Sequence, residues 1–395
     1  QGGCGSGAET LDALSDGNGG VFVVSDSPCE LTPLTFNHLL TDGTSSPGWP
    51  VLGGFQTPLQ ADRDQDPGIL KAPHALLPWI AVEPGFGPVL AWWSVGRTVD
   101  ENLIGAYELD GRVRTGWEAQ RTVRHFGSPP VVCPDGEGAA FFAWGDRVYD
   151  PINPMEFVRV QHFLFSGMIH PSWPAGSIYV NQPAGGVLVS AHPRNPGFQV
   201  MRIVSDRAGG CLVAWQWRGA GGVELSIQRL RGDGQIESGW PEGGASVSAG
   251  PVTAGAWRHP SSVSAVPYVA MVEDRQGGAY LCWIDHRHDT DGDLYAQHIL
   301  GDGTVAQGWP KGGARIAGGP GLQGKPSFAA DGLGGALVAW EDRGSDPDGD
   351  VLVQKLSFEG VFATTWPEGG IACDREGAQT SPAVVHDGRG GAIVV

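Results

Sequence analysis

Two short loops place aspartate at alternate positions around a glycine: "DTDGD" (Asp289, Asp291, Asp293) and "DPDGD" (Asp346, Asp348, Asp350). Carboxylates spaced this way can bring several oxygens to about 2.3–2.6 Å from a hard cation, so Ca2+ is the ion such loops would take. Neither loop is followed by the distant bidentate glutamate that completes an EF-hand. That gap favours a polar turn in which aspartate caps backbone amides, with calcium as the alternative. A third acidic run, "DRDQD" (Asp62, Asp64, Asp66), lies in an inserted segment.

Other residues invite a catalytic or binding reading. Asp285 and Asp342 each follow a tryptophan by two residues, and Arg287 and Arg343 follow closely. Because the pattern recurs, a structural ion pair or turn cap is expected rather than a unique acid/base pair. Three inserted segments supply His74, His192, Arg194, Trp257, Arg258 and His259. A tryptophan beside an arginine and a histidine can stack on a sugar ring or clamp a carboxylate. These residues are the expected contacts for a glycan or protein ligand; the bland alternative is an insertion that packs on the rim.

The elements that must position these residues are repeats. Asp-Gly-x-Gly-Gly, or a close variant, followed by an apolar run begins at Asp16, Glu83, Asp135, Asp206, Asp274, Asp331 and Asp387. Nine residues on stands Trp92, Trp144, Trp215, Trp283 or Trp340 in five copies. A second motif of the form Asp-Gly-x4-Gly-Trp-Pro puts tryptophan seven residues after its first position, at Trp49, Trp117, Trp173, Trp240, Trp309 and Trp366. An amide precedes that motif in five copies: Asn37, Gln161, Gln228, Gln297 and Gln354. Fixed spacing of this kind marks internal repetition. Each unit reads as four strands, A to D, and the almost continuously apolar strand B predicts burial on both faces.

The expectation is an all-β chain: a β-propeller of four-stranded blades, units starting near 11, 78, 129, 199, 267, 325 and 381, within a single domain spanning residues 1–395. "GCGSGAETLDALSDG" is similar to "ACDREGAQTSPAVVHDG", so seven blades are expected, the last shared by both termini, with six as the alternative. The A–B and C–D turns then lie on one face, and the B–C loops and inserted D–A links on the other. Cys4 and Cys29 fall on that second face and could form a disulfide, in keeping with an oxidising compartment. Cys133, Cys211 and Cys282 fall in strands and are expected to be buried.

Composition narrows the partners. The 395 residues carry a formal net charge of −18 with only four lysines. Such a field repels nucleic-acid phosphates and anionic membranes, and no apolar run long enough to cross a membrane is present. The chain starts at Gln1 rather than methionine and is read as a processed product or a fragment.

The pattern "DGxGGAxxAWxD…D[VL]xxQxL…DGxxxxGWP" resembles repeats of large secreted bacterial propeller proteins, sialidase-like in shape and often joined to C-terminal sorting or immunoglobulin-like modules. The resemblance spans nearly the whole chain and implies a secreted or cell-surface protein. It does not extend to sialidase chemistry, because Asp boxes and the Arg-Ile-Pro signature are missing. The expected function is a non-catalytic binding or structural module. The alternatives are a polysaccharide-acting enzyme, glycosidase or lyase, and a subunit of an extracellular assembly.

Overall fold

The computed structural model describes residues 9–16, 18–26, 35–49, 74–83, 85–95, 100–117, 121–124, 130–148, 155–174, 187–193, 199–219, 222–248, 269–288, 291–344, 348–373, 377–380 and 382–395. The chain divides into two compact units, Gln1–Pro193 and Arg194–Val395. Every regular element among the described residues is a strand.

The first unit holds three antiparallel sheets. One contains β1 (Glu9–Ser15), β2 (Val21–Asp26) and β3 (Thr35–Leu39). The next contains β4 (His74–Ala81), β5 (Val89–Val95), β6 (Asp100–Ala106) and β7 (Arg121–Arg124). The third contains β8 (Val131–Pro134), β9 (Ala140–Val148), β10 (Met155–Phe163) and β11 (Val187–Pro193). Their first strands pack side by side, β1 on β4 and β4 on β8.

The second unit repeats the plan. Its sheets are β12 (Gln199–Ser205), β13 (Cys211–Gly219), β14 (Gly222–Leu230) and β15 (Ala245–Ser246); β16 (Val269–Glu273), β17 (Ala279–Asp285), β18 (Asp293–Ile299) and β19 (Ala314–Ala317); and β20 (Gln323–Ala330), β21 (Ala336–Asp342), β22 (Asp350–Leu356) and β23 (Ile371–Cys373). A hairpin of β24 (Val384–His386) and β25 (Ala392–Val394) follows. Strands β12, β16, β20 and β24 again pack in succession. Strands order as they occur in the chain, each antiparallel to the last.

The two motifs build these sheets. In the first, aspartate closes the A–B turn: Asp274 Oδ1 accepts the amides of Gln276 (2.7 Å) and Gly278 (2.8 Å). Oδ2 meets a basic side chain of strand C, here His298 Nε2 at 3.0 Å. Asp16 pairs with His38, Asp135 with His162, Asp206 with Arg229 and Asp331 with Lys355 in the same way. The recurring glutamine ties strand C to the second motif. Gln297 Nε2 donates to Pro310 O at 2.8 Å while its Oε1 accepts the amide of His298; Gln161, Gln228 and Gln354 repeat both bonds.

Tryptophans join neighbouring sheets. Trp49 Nε1 donates to Leu109 O and Trp117 Nε1 to Phe165 O in the first unit, and Trp240 Nε1 to Gly301 O in the second. The strand-B tryptophans Trp144, Trp215, Trp283 and Trp340 are buried. Gly313 must be glycine, because its φ is 90° and a Cβ would stand 2.5 Å from the Trp283 ring. Strand B is buried on both faces, as its apolar run predicts: Ala336 to Trp340 lie entirely within the structure. Cys133, Cys211 and Cys282 are buried as expected, whereas Cys373 is exposed; Cys4 and Cys29 lie outside the described residues.

Candidate functional site

At the loop end of the second unit, β20, β21 and β22 bring charged residues to one corner. At its centre is Glu341, the penultimate residue of β21 and 0% exposed. Its Oε1 accepts from Arg343 Nε at 2.7 Å. Lys325 Nζ stands 3.3 Å from Oε2, an ion-pair distance, yet Oε2 has no partner of hydrogen-bond geometry. Burying a carboxylate is tolerable only with such compensation.

The repeat does not require an acid here. The equivalent position, ten residues after the first-motif acid, holds Asp26, Trp93, Gly145, Gln216 and Ile284 in the other copies that reach it. Lys325 lies in a bulge of β20, between Gly324 and Ser327, a first-strand irregularity that β1, β4 and β12 also have, and its φ is 47°. A left-handed backbone at a residue other than glycine is strained, and such strain clusters at functional sites. The bulge aims the ammonium group at Glu341 instead of continuing the pleat.

The "DPDGD" loop closes the corner. A Cβ added at Gly349 would stand 3.5 Å from Glu341 Cγ and 3.6 Å from Arg343 Cγ, so this backbone lies directly on the ion pair. Gln379 N donates to Gly349 O at 2.8 Å, holding the loop from the other side. Asp348 and Asp350 flank Gly349, the first exposed and the second half-buried.

The acids picked out by tryptophan spacing have structural tasks. Asp285 accepts from Trp283 Nε1 (3.1 Å), Arg287 N (2.9 Å) and the Arg287 guanidinium. Asp342 accepts from Gly344 N at 2.8 Å and from Trp340 Nε1 at 3.4 Å. Both are turn caps; Asp285 is an ion pair too.

The "DTDGD" loop serves the join to the next sheet. Asp291 Oδ2 accepts the amide of Gly321 at 3.3 Å, and buried Asp293 pairs with Arg315 at 2.8 Å. No group of three metal-ligating side chains occurs among the described residues; Asp289 and Asp346 lie outside them. His74 is paired with Val95 at the start of β4, and His192 with Glu156 in β11. The side chains of both, and all of Arg194, Trp257, Arg258 and His259, lie outside the described residues.

Comparison with known proteins adds the following. No family model matches the chain, and no curated protein does. Among solved structures, a Penicillium chrysogenum alpha-L-arabinanase complexed with arabinobiose matches at 12% identity and TM-score 0.41, covering 80% of this chain and 86% of that one. A family-43 endo-arabinanase from Bacillus licheniformis matches at 14% and 0.35, covering 74% and 94%. Prolyl oligopeptidase B from Galerina marginata matches at 9% and 0.45, covering 97% and 46%. The expectation of a module without catalysis is corrected to this extent: the matched structures named are enzymes, two of them arabinanases. No residue role is carried over from them.

Proposed function

We propose that the chain acts on polysaccharide, as a glycosidase or lyase, with Glu341 as its proton-transferring group. One observation carries this reading. A fully buried glutamate that the repeat pattern does not require is held by two cations, one of them on a strained bulge, beneath a loop bearing two more carboxylates. Glycoside cleavage uses two carboxyl groups, one to pass a proton at the glycosidic oxygen and one on the opposite side of the sugar. Asp348 or Asp350 would supply the second. Arg343 and Lys325 stand against the Glu341 carboxyl, at 2.7 Å and 3.3 Å. Their side chains are 42% and 36% exposed, so both can swing toward solvent and uncover the carboxylate when substrate arrives.

The same proposal takes the repeats as propeller blades, the glycan as the partner, and the protein as secreted or displayed at the cell surface. Its test is reducing-end and unsaturated-product release from a panel of neutral and charged polysaccharides. Glu341→Gln is expected to lower kcat at least a hundredfold with an unchanged far-ultraviolet circular dichroism spectrum. Activity that survives this substitution, or no activity on any member of the panel, defeats the reading.

A further inference from the structure

Two neighbouring sheets of the second unit carry the same pair of acids and compensate it differently. In the β16–β19 sheet Asp285 and Asp293 stand directly opposite each other on β17 and β18. Like charges so placed repel, and each is answered by its own arginine, Asp285 by Arg287 and Asp293 by Arg315. In the β20–β23 sheet the same pairing sets Asp342 opposite Asp350. Here both arginines are replaced. Two residues after the first acid stands Gly344 where the other sheet has Arg287. Arg315 lies opposite Tyr295, two residues past Asp293; the counterpart, opposite Leu352, is Ala372. Asp342 accepts from the Gly344 amide and the Trp340 indole, and the Asp350 carboxyl has no partner among the described residues. Arg343 does not fill the gap, because its guanidinium is bonded to Glu341, whose side chain points to the opposite face of the sheet.

A third oxygen joins the row. Gln323 on β20 is opposite Asp342, so its side chain shares the face of both acids. It is 1% exposed. Its Nε2 donates to Gly321 O at 2.9 Å, which fixes the orientation of the amide, and its Oε1 is buried with no partner. This face packs on the β16–β19 sheet, with Val338 and Trp340 against Leu294 and Ala296. From that sheet Asp291 accepts the Gly321 amide at 3.3 Å, which adds a further carboxylate beside the row.

We propose that Gln323, Asp342 and Asp350 bind one Ca2+ ion, which does for this sheet what two arginines do for its neighbour. No three acids, histidines or cysteines meet among the described residues, and the third ligand here is an amide oxygen. Directly opposite residues have Cβ atoms about 4.5–5.5 Å apart, so adjacent members of the row can share an ion. Carboxylate and amide oxygens are the ligands calcium takes, with water completing its shell. Mg2+ suits the row less, since it demands near-octahedral geometry. An ion here commits Asp350 and leaves Asp348 as the second carboxyl of the proposed reaction.

The test uses the full chain after chelator treatment, titrated with CaCl2 in isothermal titration calorimetry and in thermal melting. A saturable site is expected, with a rise in melting temperature of several degrees and a smaller rise from MgCl2. Asp350→Asn and Gln323→Met are each expected to weaken calcium binding at least tenfold, with unchanged far-ultraviolet circular dichroism. Asp302→Asn, in an exposed turn of the neighbouring sheet, is expected to leave binding as it is. Ala372→Arg, at an exposed position, returns an arginine to the pair. It is expected to raise the calcium-free melting temperature and abolish the response to calcium, which keeps the test decisive if either of the first two variants fails to fold. No calcium binding, or binding that Asp350→Asn, Gln323→Met and Ala372→Arg all leave unchanged, overturns the proposal. So does loss of binding in Asp302→Asn, since the ion would then sit elsewhere.

Discussion

Arg114 shows how one side chain repairs a gap in a repeat. In the second copy Glu83 replaces the turn aspartate and Ala106 stands where the other copies carry His38, His162, Arg229, His298 or Lys355. The missing cation is supplied from the second motif. The fully buried Arg114 guanidinium donates to the carbonyls of Gly138, Gly87 (2.9 Å) and Tyr107 (3.3 Å), and lies 4.5 Å from the centre of the Phe165 ring. Burial pushes this guanidinium below its usual range, and Glu108 and Asp135 pull it back up. Arg114→Met would keep the volume and strand three carbonyls. A loss of roughly 3 kcal/mol or more is expected in urea unfolding; a loss below about 1 kcal/mol would mean that water reaches those carbonyls instead.

The aspartate turn is the element that the repeats share, and it makes the fold acid-sensitive. Burial raises the carboxyls of Asp135 and Asp274, but the hydrogen bonds from His162 or His298 and from two backbone amides outweigh it, leaving both below 3.8. A folded pKa below the unfolded one adds stability above the unfolded value and loses it as pH falls through the folded value. The melting temperature should therefore hold from neutrality to about pH 5 and fall steeply below 3.8. In Asp274→Asn that acid-driven fall should be shallower, from a lower starting point. An unchanged pH profile in this variant would show that the turn carboxylates do not carry the effect. These turns were legible in the sequence because each requires the same residues at the same spacing. The Glu341 corner was not, since recurrence was the guide and Glu341 breaks it. Nor does any residue pattern announce the first-strand bulges of β1, β4, β12 and β20, because a segment such as Lys325-Pro326 reads as ordinary strand entry until register is known. The one available signal was the row of unlike residues, from Asp26 to Ile284, at the position Glu341 occupies.

Across the molecule, 43 acidic residues face 25 lysines and arginines. Part of that basic complement is already committed to specific carboxylates: Arg229 to Asp206, Arg287 to Asp285, Arg315 to Asp293, Arg343 and Lys325 to Glu341, and Lys355 to Asp331. Each of these pairs has a partner with almost no exposure, so salt screens it little. Exposed acids such as Asp302 lie where salt can act. Screening should then relieve repulsion more than it weakens attraction. Raising NaCl from about 0.02 M to about 0.5 M is expected to raise the melting temperature by about 2–4 °C, a gain on the order of 1 kcal/mol. If the melting temperature fell instead, the pairs would be more accessible than their burial implies, and Arg343→Gln would then remove most of the salt dependence at the Glu341 corner. A rise that persists in Arg343→Gln would place the effect in the net charge of −18, not in that site.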